Sequence, residues 1–363
     1  MARISLDKLG FSYPGAASET LSQLSLTIAD GEAHALLGAS GAGKTTLLNI
    51  LSGLLTPTSG ALRFDDEDVS RRSGRLRNVA QVFQFPVLYE SLSVAENLVF
   101  PLKTRKAPAA LIAQRLDYIS SELELHELRD LKPAGLSLFQ KQLVAVGKAL
   151  IRPDVSMVLL DEPLTAVEPR TKWRLRQTLR RVQADLKVTM IYVTHDQTEA
   201  LTFADRVSVL TAGGILQTGT PEQVYASPEH EFIGHFVGSP GMNFLPAEVL
   251  GVKDAERVGF RPEWGVIVDP AENVAPPRNE TAPAQEARYG TPYLRGRVER
   301  VRVQGARTGK PFGLLTLATP QGEITVRGAL PDPPVNVGDT VDIRIIRYVA
   351  YTKQRKVREI ELL

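Results

Sequence analysis

The sequence predicts an α/β domain built on a parallel sheet, followed by a small all-β domain. Three observations carry that prediction. A glycine-rich loop, Gly38-Ala39-Ser40-Gly41-Ala42-Gly43-Lys44-Thr45-Thr46, lies between a short apolar strand and an amphipathic helix. Two later apolar runs, 156–162 and 189–194, deliver carboxylates and a histidine at their ends, as buried strands feeding a site do. From Asn243 onward helical patterns fade, and short strands alternate with Gly and Pro punctuation. At 363 residues the chain can hold two cores, and 43% hydrophobic content can fill them.

Residues 3–9 and 21–28 alternate apolar and polar side chains, the pattern of half-buried strands. Between them Tyr13 stands on a turn (11–15), where a flat π face suits an adenine ring. Its spacing leaves open a plainer role, covering the sheet. Residues 34–37 read as a strand and 47–51 as a helix, so the loop between them fits the phosphate-binding pattern G-x-x-x-x-G-K-[ST]. Through Gly38, Ser40, Gly41, Ala42 and Gly43, backbone N–H groups approach phosphate oxygens, and the helix N-terminus adds its positive dipole. Lys44 then reaches the β- and γ-phosphates, the Thr45 hydroxyl completes a Mg²⁺ shell, and Thr46 closes the loop. This is a nucleotide site.

After a turn at 56–60 and a strand at 61–64, residues 71–77 read as a basic, solvated stretch. A strand over 79–84 ends in Gln84, placed to meet a metal or an attacking water. The unusually apolar loop 85–89 suggests a docking surface, or else folds onto its own core. From 109 to about 152, Leu and Ile recur at helical spacing, with Ser137 as an N-cap. The strand 156–162 delivers Asp161 to hold Mg²⁺ and Glu162 to orient or deprotonate water. Two carboxylates ending a buried strand need a cation or hydrogen bonds to offset desolvation. The strand 189–194 delivers His195 as a γ-phosphate contact. A strand at 206–210 and a Gly213-Gly214 hairpin close this block near residue 231. In the β region, 269–292 is rich in Pro, Ala and Glu and reads as a mobile insertion, and 353–358 as a solvated edge strand.

A net charge of +2 gives no electrostatic argument for nucleic acid or an anionic membrane surface. The lack of cysteine excludes disulfides and thiolate metal sites. No apolar run approaches the ~20 residues of a membrane span, and residues 1–13 carry no apolar h-region. Any membrane role is therefore expected to come through a partner.

On these residues the chain resembles the ATP-binding subunits of ATP-binding-cassette (ABC) importers, along essentially its whole length. Within them it is similar to the group that energises sugar and polyol uptake. The resemblance implies a RecA-like P-loop nucleotide-binding domain over 1–235, with a helical subdomain at about 86–155. It implies next an OB-like (TOBE-type) domain over 243–363, with the insertion 269–292. Tyr13 then corresponds to the adenine-stacking aromatic, and Gly38 to Thr46 to the Walker A loop. Gln84 matches the Q-loop glutamine, Asp161 the Walker B aspartate, Glu162 the catalytic glutamate and His195 the switch histidine. The segment 85–100 matches the region that receives a coupling helix, and Gly259-Phe260-Arg261-Pro262-Glu263 a segment common in C-terminal domains of sugar-importer ATPases. The resemblance further implies ATP and Mg²⁺ as cofactors, two membrane permease subunits and a periplasmic solute-binding protein as partners, and a place on the cytoplasmic face of a bacterial inner membrane.

Two departures stand out. The family signature Leu-Ser-Gly-Gly-Gln appears as Leu136-Ser137-Leu138-Phe139-Gln140, and residues 165–168 read Thr-Ala-Val-Glu where Ser-Ala-Leu-Asp is usual. The glycines normally let a helix N-terminus close on the γ-phosphate held by the opposite subunit. Ser137, Leu138, Phe139 and Gln140 thus make a degenerate lid for a neighbour's nucleotide, while this chain's own half-site is complete. A heterodimer with a second, different ATPase is expected. Residues 82–87 and 238–244 look like one of the two ATPase subunits of bacterial glycerol importers. A soluble ABC ATPase acting on DNA or ribosomes would usually carry coiled-coil insertions or tandem cassettes, and neither pattern is visible. A purely ATP-sensing module fits poorly with Glu162 and His195 both present.

Overall fold

The computed structural model describes residues 2–165, 167–212, 214–268, 293–307, 310–331 and 335–361. Two compact units divide the chain, Met1–Pro221 and Glu222–Leu363. The first opens with β1 (Ile4–Phe11), β2 (Leu21–Ile28), β3 (Ala33–Gly38) and α1 (Lys44–Ser52). Next come β4 (Ser59–Phe64), β5 (Glu67–Asp68), the single turn α2 (Gly74–Arg77) and β6 (Val79–Val82). Helices α3 (Val94–Thr104), α4 (Ala109–Glu122) and α5 (Leu138–Leu150) separate β6 from β7 (Met157–Asp161). The unit finishes with α6 (Pro169–Leu186), β8 (Met190–Thr194), α7 (Gln197–Phe203), β9 (Arg206–Thr211) and β10 (Gly214–Gly219).

Its strands form an antiparallel sheet, β2-β1-β4-β5, and a six-stranded sheet, β10-β9-β3-β8-β7-β6. The larger sheet is parallel except for β10. β7 and β8 are apolar without alternation because both faces are buried, the usual state of parallel strands. Helix α1 buries Leu47, Leu48, Ile50 and Leu51 in one core with Leu36, Leu159 and Ile191 of the sheet. Since β3, β6, β7 and β8 run the same way, their C-terminal ends share one edge. The loops that follow Gly38, Val82, Asp161 and Thr194 all leave from it.

The structure corrects two expectations here. Strand β6 stops at Val82, so Gln84 lies on a bend two residues beyond it. Its neighbour Phe83 is held from outside the strand, where the buried Gln142 of α5 donates to its carbonyl at 3.3 Å. Nor is the basic stretch solvated throughout. Arg77 is 2% exposed and donates to the carbonyls of Arg72 (2.9 Å), Ser70 (2.9 Å), Leu51 (3.3 Å) and Ile50.

The second unit begins with α8 (Pro221–Ala226) and α9 (Glu231–Phe236), then β11 (Asn243–Pro246), β12 (Arg257–Phe260) and β13 (Gly265–Ile267). It continues with β14 (Tyr293–Arg307), β15 (Lys310–Thr319), β16 (Gly322–Ala329), β17 (Thr340–Ile345), β18 (Arg347–Thr352) and β19 (Arg355–Glu361). All pairings are antiparallel, in the orders β13-β17-β14-β15-β16 and β11-β12-β18-β19. The five-stranded sheet nearly closes: a Cβ on Gly265 of β13 would sit 3.2 Å from a methyl of Val326 on β16. The Asn243 side chain joins the two sheets, accepting from the Thr325 N–H (2.7 Å) and donating to its carbonyl (2.8 Å). This is an OB-like arrangement. The edge strand expected around 353–358 is β19, entered through a turn with Lys353 and Gln354 at positive φ. Residues 269–292, read as an insertion, lie outside the described residues.

The division between compact units falls at 221/222, and side-chain bonds show why α8 and α9 go with the β-unit. Arg261 is fully buried and donates to the carbonyls of Tyr225 (2.9 and 2.6 Å), Gly234 (3.0 Å) and Val237, tying α8 and α9 to the β-unit. Glu263 accepts from the Tyr225 hydroxyl at 2.6 Å, and burial with that bond pushes Tyr225 up to about 12. The Arg-Pro-Glu segment thus has a structural role in this chain.

Candidate functional site

The glycine-rich loop turns on Gly41 and Gly43, at φ 81° and 91°, a region that favours glycine. At Gly43 a Cβ would also meet a Leu21 methyl at 2.6 Å. Helix α1 starts at Lys44 with Gly43 as its N-cap, so no side chain caps the first turn and no acid stands in it. Its first N–H groups are left for an anion. The Lys44 side chain is 6% exposed and donates to the carbonyls of Gly38 (2.8 Å) and Ala39 (2.9 Å). Burial pulls its ammonium below the usual lysine range, and the charges of Glu162 and Asp161 oppose that shift. Ser40, Gly41 and Thr45 are exposed, while Ala42 and Thr46 are buried. The Tyr13 hydroxyl lies 3.2 Å from Thr46 Oγ1, its ring edge-on to Phe11 at 4.9 Å. At 44% exposure the ring stands partly in solvent beside the loop.

The two carboxylates differ. Burial and the Glu162 charge hold the Asp161 carboxyl above its ordinary value, against the pull of Lys44. Glu162 sits at φ 45°, fixed there by its N–H donating to the Val193 carbonyl at 3.0 Å. Its side chain is held at both oxygens: Oε1 lies 3.1 Å from His195 Nδ1, and Oε2 accepts from Thr165 at 3.0 Å. Lys44, Asp161, Glu162 and His195 are thus assembled at one sheet edge. Val82 pairs with Leu160, so the chain carrying Gln84 leaves the same edge beside Asp161.

These residues fit a nucleotide triphosphate and Mg²⁺. Among the described residues no group of three or more His, Asp or Glu could hold a metal alone. Magnesium is commonly bound by one or two carboxylates together with substrate phosphates, and here Asp161, the Thr45 hydroxyl and Gln84 would be its protein ligands. A half-buried carboxylate beside a second one gains most from such a cation.

The degenerate signature opens α5. Ser137 and Gln140 form a capping box, with the Gln140 N–H donating to Ser137 Oγ (3.2 Å) and the Ser137 N–H to Gln140 Oε1 (2.9 Å). Between them Leu138 is 40% exposed and Phe139 is half-buried.

The apolar loop 85–89 does not fold onto its own core. Phe85 and Val87 are 66% and 59% exposed. Buried Asn97 pins the loop's end, accepting from the Tyr89 N–H (2.8 Å) and donating to the carbonyls of Tyr89, Leu92 and Ser93. Lys148 donates to the Val87 carbonyl and lies over the Tyr89 ring at 5.3 Å.

Residues matching the ABC transporter family run from 21 to 165. The trehalose import ATP-binding protein SugC of Mycobacterium tuberculosis is 42% identical over 252 residues, 69% of this chain and 64% of that protein. The chain therefore spans less than two thirds of that relative. The sn-glycerol-3-phosphate import ATP-binding protein UgpC 2 of Rhizobium johnstonii is 40% identical over 268 residues, 72% of this chain and 77% of its own. The chain belongs to the ABC transporter ATPase family. Among solved structures, cbiO1 of Clostridium perfringens, part of the ABC transporter complex cbiONQ, matches with TM-score 0.57 and 29% identity, covering 61% of this chain and 89% of its own. Among the described residues of this ABC ATPase, no helix is long and apolar enough to cross a membrane.

Sequence reasoning passed over the residues that support the site. Glu199, 3% exposed, accepts from Tyr192 (3.0 Å), Thr194 (2.8 Å) and Lys172 (3.3 Å) beneath His195. An acid three residues after Asp196 is a helix-start signal, so its presence was legible but its inward turn was not. Nothing in the pattern distinguished Gln142 or Arg77.

Proposed function

We propose that this chain is an ATP-hydrolysing motor subunit of a bacterial importer for a small sugar or polyol. One observation carries the reading: Lys44, Asp161, Glu162 and His195 meet at a single sheet edge, with Glu162 held between His195 and Thr165. Lys44 and the α1 N-terminus bind the phosphates, and Tyr13 offers a face to the adenine. Bound through Asp161, Thr45 and Gln84, Mg²⁺ would neutralise phosphate charge. Glu162 orients a water and takes its proton as the water oxygen bonds to the γ-phosphorus and the bond to the β-phosphate oxygen breaks. His195 steadies Glu162 and contacts the γ-phosphate. Placement and charge supply most of the acceleration.

The exposed loop 85–89 supports docking of a permease's coupling helix, which would place the chain peripherally on the cytoplasmic face of the membrane. A periplasmic binding protein would join through the permeases. Relatives named for trehalose and sn-glycerol-3-phosphate import support a polyhydroxylated solute, and glycerol is the specific solute we propose. The bulk of Leu138, exposed at 40%, and of Phe139 beside it supports pairing with a second, different ATPase that supplies an intact signature. The test is Glu162→Gln in the complex with that partner. ATP binding is expected to stay within twofold, while turnover drops by about 10²–10⁴-fold. Retained turnover would remove Glu162 from the chemistry.

A further inference from the structure

His195 occupies the single-residue link between Thr194, the last residue of β8, and Asp196, the N-cap of α7. Its ring is half exposed, so packing does not fix it. The Thr194 hydroxyl spans it, accepting from the Asp196 N–H at 3.0 Å while donating to Glu199 Oε2 at 2.8 Å. Asp196 in turn caps α7, accepting from the N–H groups of Thr198 (2.8 Å) and Glu199 (3.2 Å). Glu199 Oε2 also accepts from the Tyr192 hydroxyl at 3.0 Å. Its other oxygen takes the Lys172 ammonium of α6 at 3.3 Å. One buried carboxylate therefore joins the strand and turn that carry His195 to the helix that follows Thr165.

That junction matters because Glu162 is gripped from both sides. His195 holds Oε1, and Thr165, four residues before α6, holds Oε2. Glu199 bonds the element beside each arm, Thr194 next to His195 and Lys172 on the helix after Thr165. We infer that Glu199, with Lys172, is a positioning residue for hydrolysis: it sets the spacing between the His195 turn and α6, and so the aim of the Glu162 carboxylate. The inference rests on the ATPase reading above. A carboxylate is needed at this place because Tyr192, Thr194 and Lys172 all arrive as donors. An amide at the same position must turn an N–H₂ toward at least one of them. The Tyr192 hydroxyl stays protonated and donating, since burial and the Glu199 charge raise its pKa well above the ordinary tyrosine value.

The experiment compares Glu199→Gln and Lys172→Met with the wild-type chain in its ATPase complex, reading kcat, KM for ATP and equilibrium ATP binding. Lys172 is 28% exposed on its side chain, so its removal keeps the test open should Glu199→Gln not fold. Glu199→Gln is expected to lower kcat by about 10- to 100-fold. KM and ATP affinity should stay within twofold, and Lys172→Met should lower kcat several-fold in the same pattern. In a His195→Ala background, Glu199→Gln should cost several-fold less than it does in the wild type, because one of the two arms through which it acts is already gone. Wild-type kcat in both variants, a loss carried by KM, or full additivity with His195→Ala would each overturn the inference. A wild-type complex without Glu162-dependent turnover would overturn the ATPase reading and take this inference with it.

Discussion

Asp161 is a costly place for a negative charge. Burial and the neighbouring Glu162 charge raise its carboxyl above 3.8, with Lys44 only partly opposing. A raised acid binds its proton more tightly folded than unfolded, so stability falls as pH climbs from the ordinary value through the raised one. Above that window the penalty is complete. Asp161→Asn is therefore expected to raise the melting temperature of the nucleotide-free protein at pH 7.5, by about 2 °C. The gain should fade as pH falls toward 4, and MgATP should shrink it by stabilising the wild type more than the variant. A lower melting temperature for Asp161→Asn at pH 7.5 without nucleotide would show that the carboxylate is already satisfied. Lys44, Asp161, Glu162 and His195 were legible in the sequence because residue type and place after an apolar strand together name a chemistry. Arg77 was not. It shares one basic run with Arg71, Arg72 and Arg75, and what buries it is a set of carbonyls at Ile50, Leu51 and Ser70.

Helix α1 shows what that burial does at the scale of an element. Nine residues long, it presents Lys44 at one end and leaves its last carbonyls to be satisfied at the other. Gly53, at φ 81°, returns its N–H to Asn49 and Ile50, and Arg77 takes Ile50 and Leu51. The helix that aims the phosphate loop is thus closed from a segment beyond β5. Arg77→Met is expected to cost about 2 kcal/mol, because buried carbonyls lose their donor without gaining water. Urea unfolding followed by circular dichroism measures it. Arg75→Met, on the exposed side of the same turn, should change stability by less than about 0.5 kcal/mol. Equal effects of the two would return the whole stretch to the surface. The strands themselves were readable from their periods. The early end of β6 was not, since the pull on Phe83 comes from Gln142, far along the chain.

At the scale of the molecule, the two faces of the first unit are unequal. One edge gathers Lys44, Asp161, Glu162 and His195, while the start of α5 carries Leu138 and Phe139, which in the proposed dimer would face a neighbour's γ-phosphate. The capping box uses only the backbone and side chains of Ser137 and Gln140, so the helix start survives replacement of Leu138 and Phe139. Leu138→Gly with Phe139→Gly sacrifices helix propensity of about 1 kcal/mol per site, leaving the cap intact. Two copies of the wild-type chain would close bulky lids on both nucleotides, and their ATPase should be low. The double glycine variant, purified without a second ATPase, should turn over ATP at least about tenfold faster, since the α5 N-terminal N–H groups then reach phosphate. Adding Glu162→Gln to that variant should abolish the gain, which ties it to this chain's own pocket. A wild-type chain already fast by itself, or a double variant no faster, would remove the reason for a second kind of ATPase in the complex.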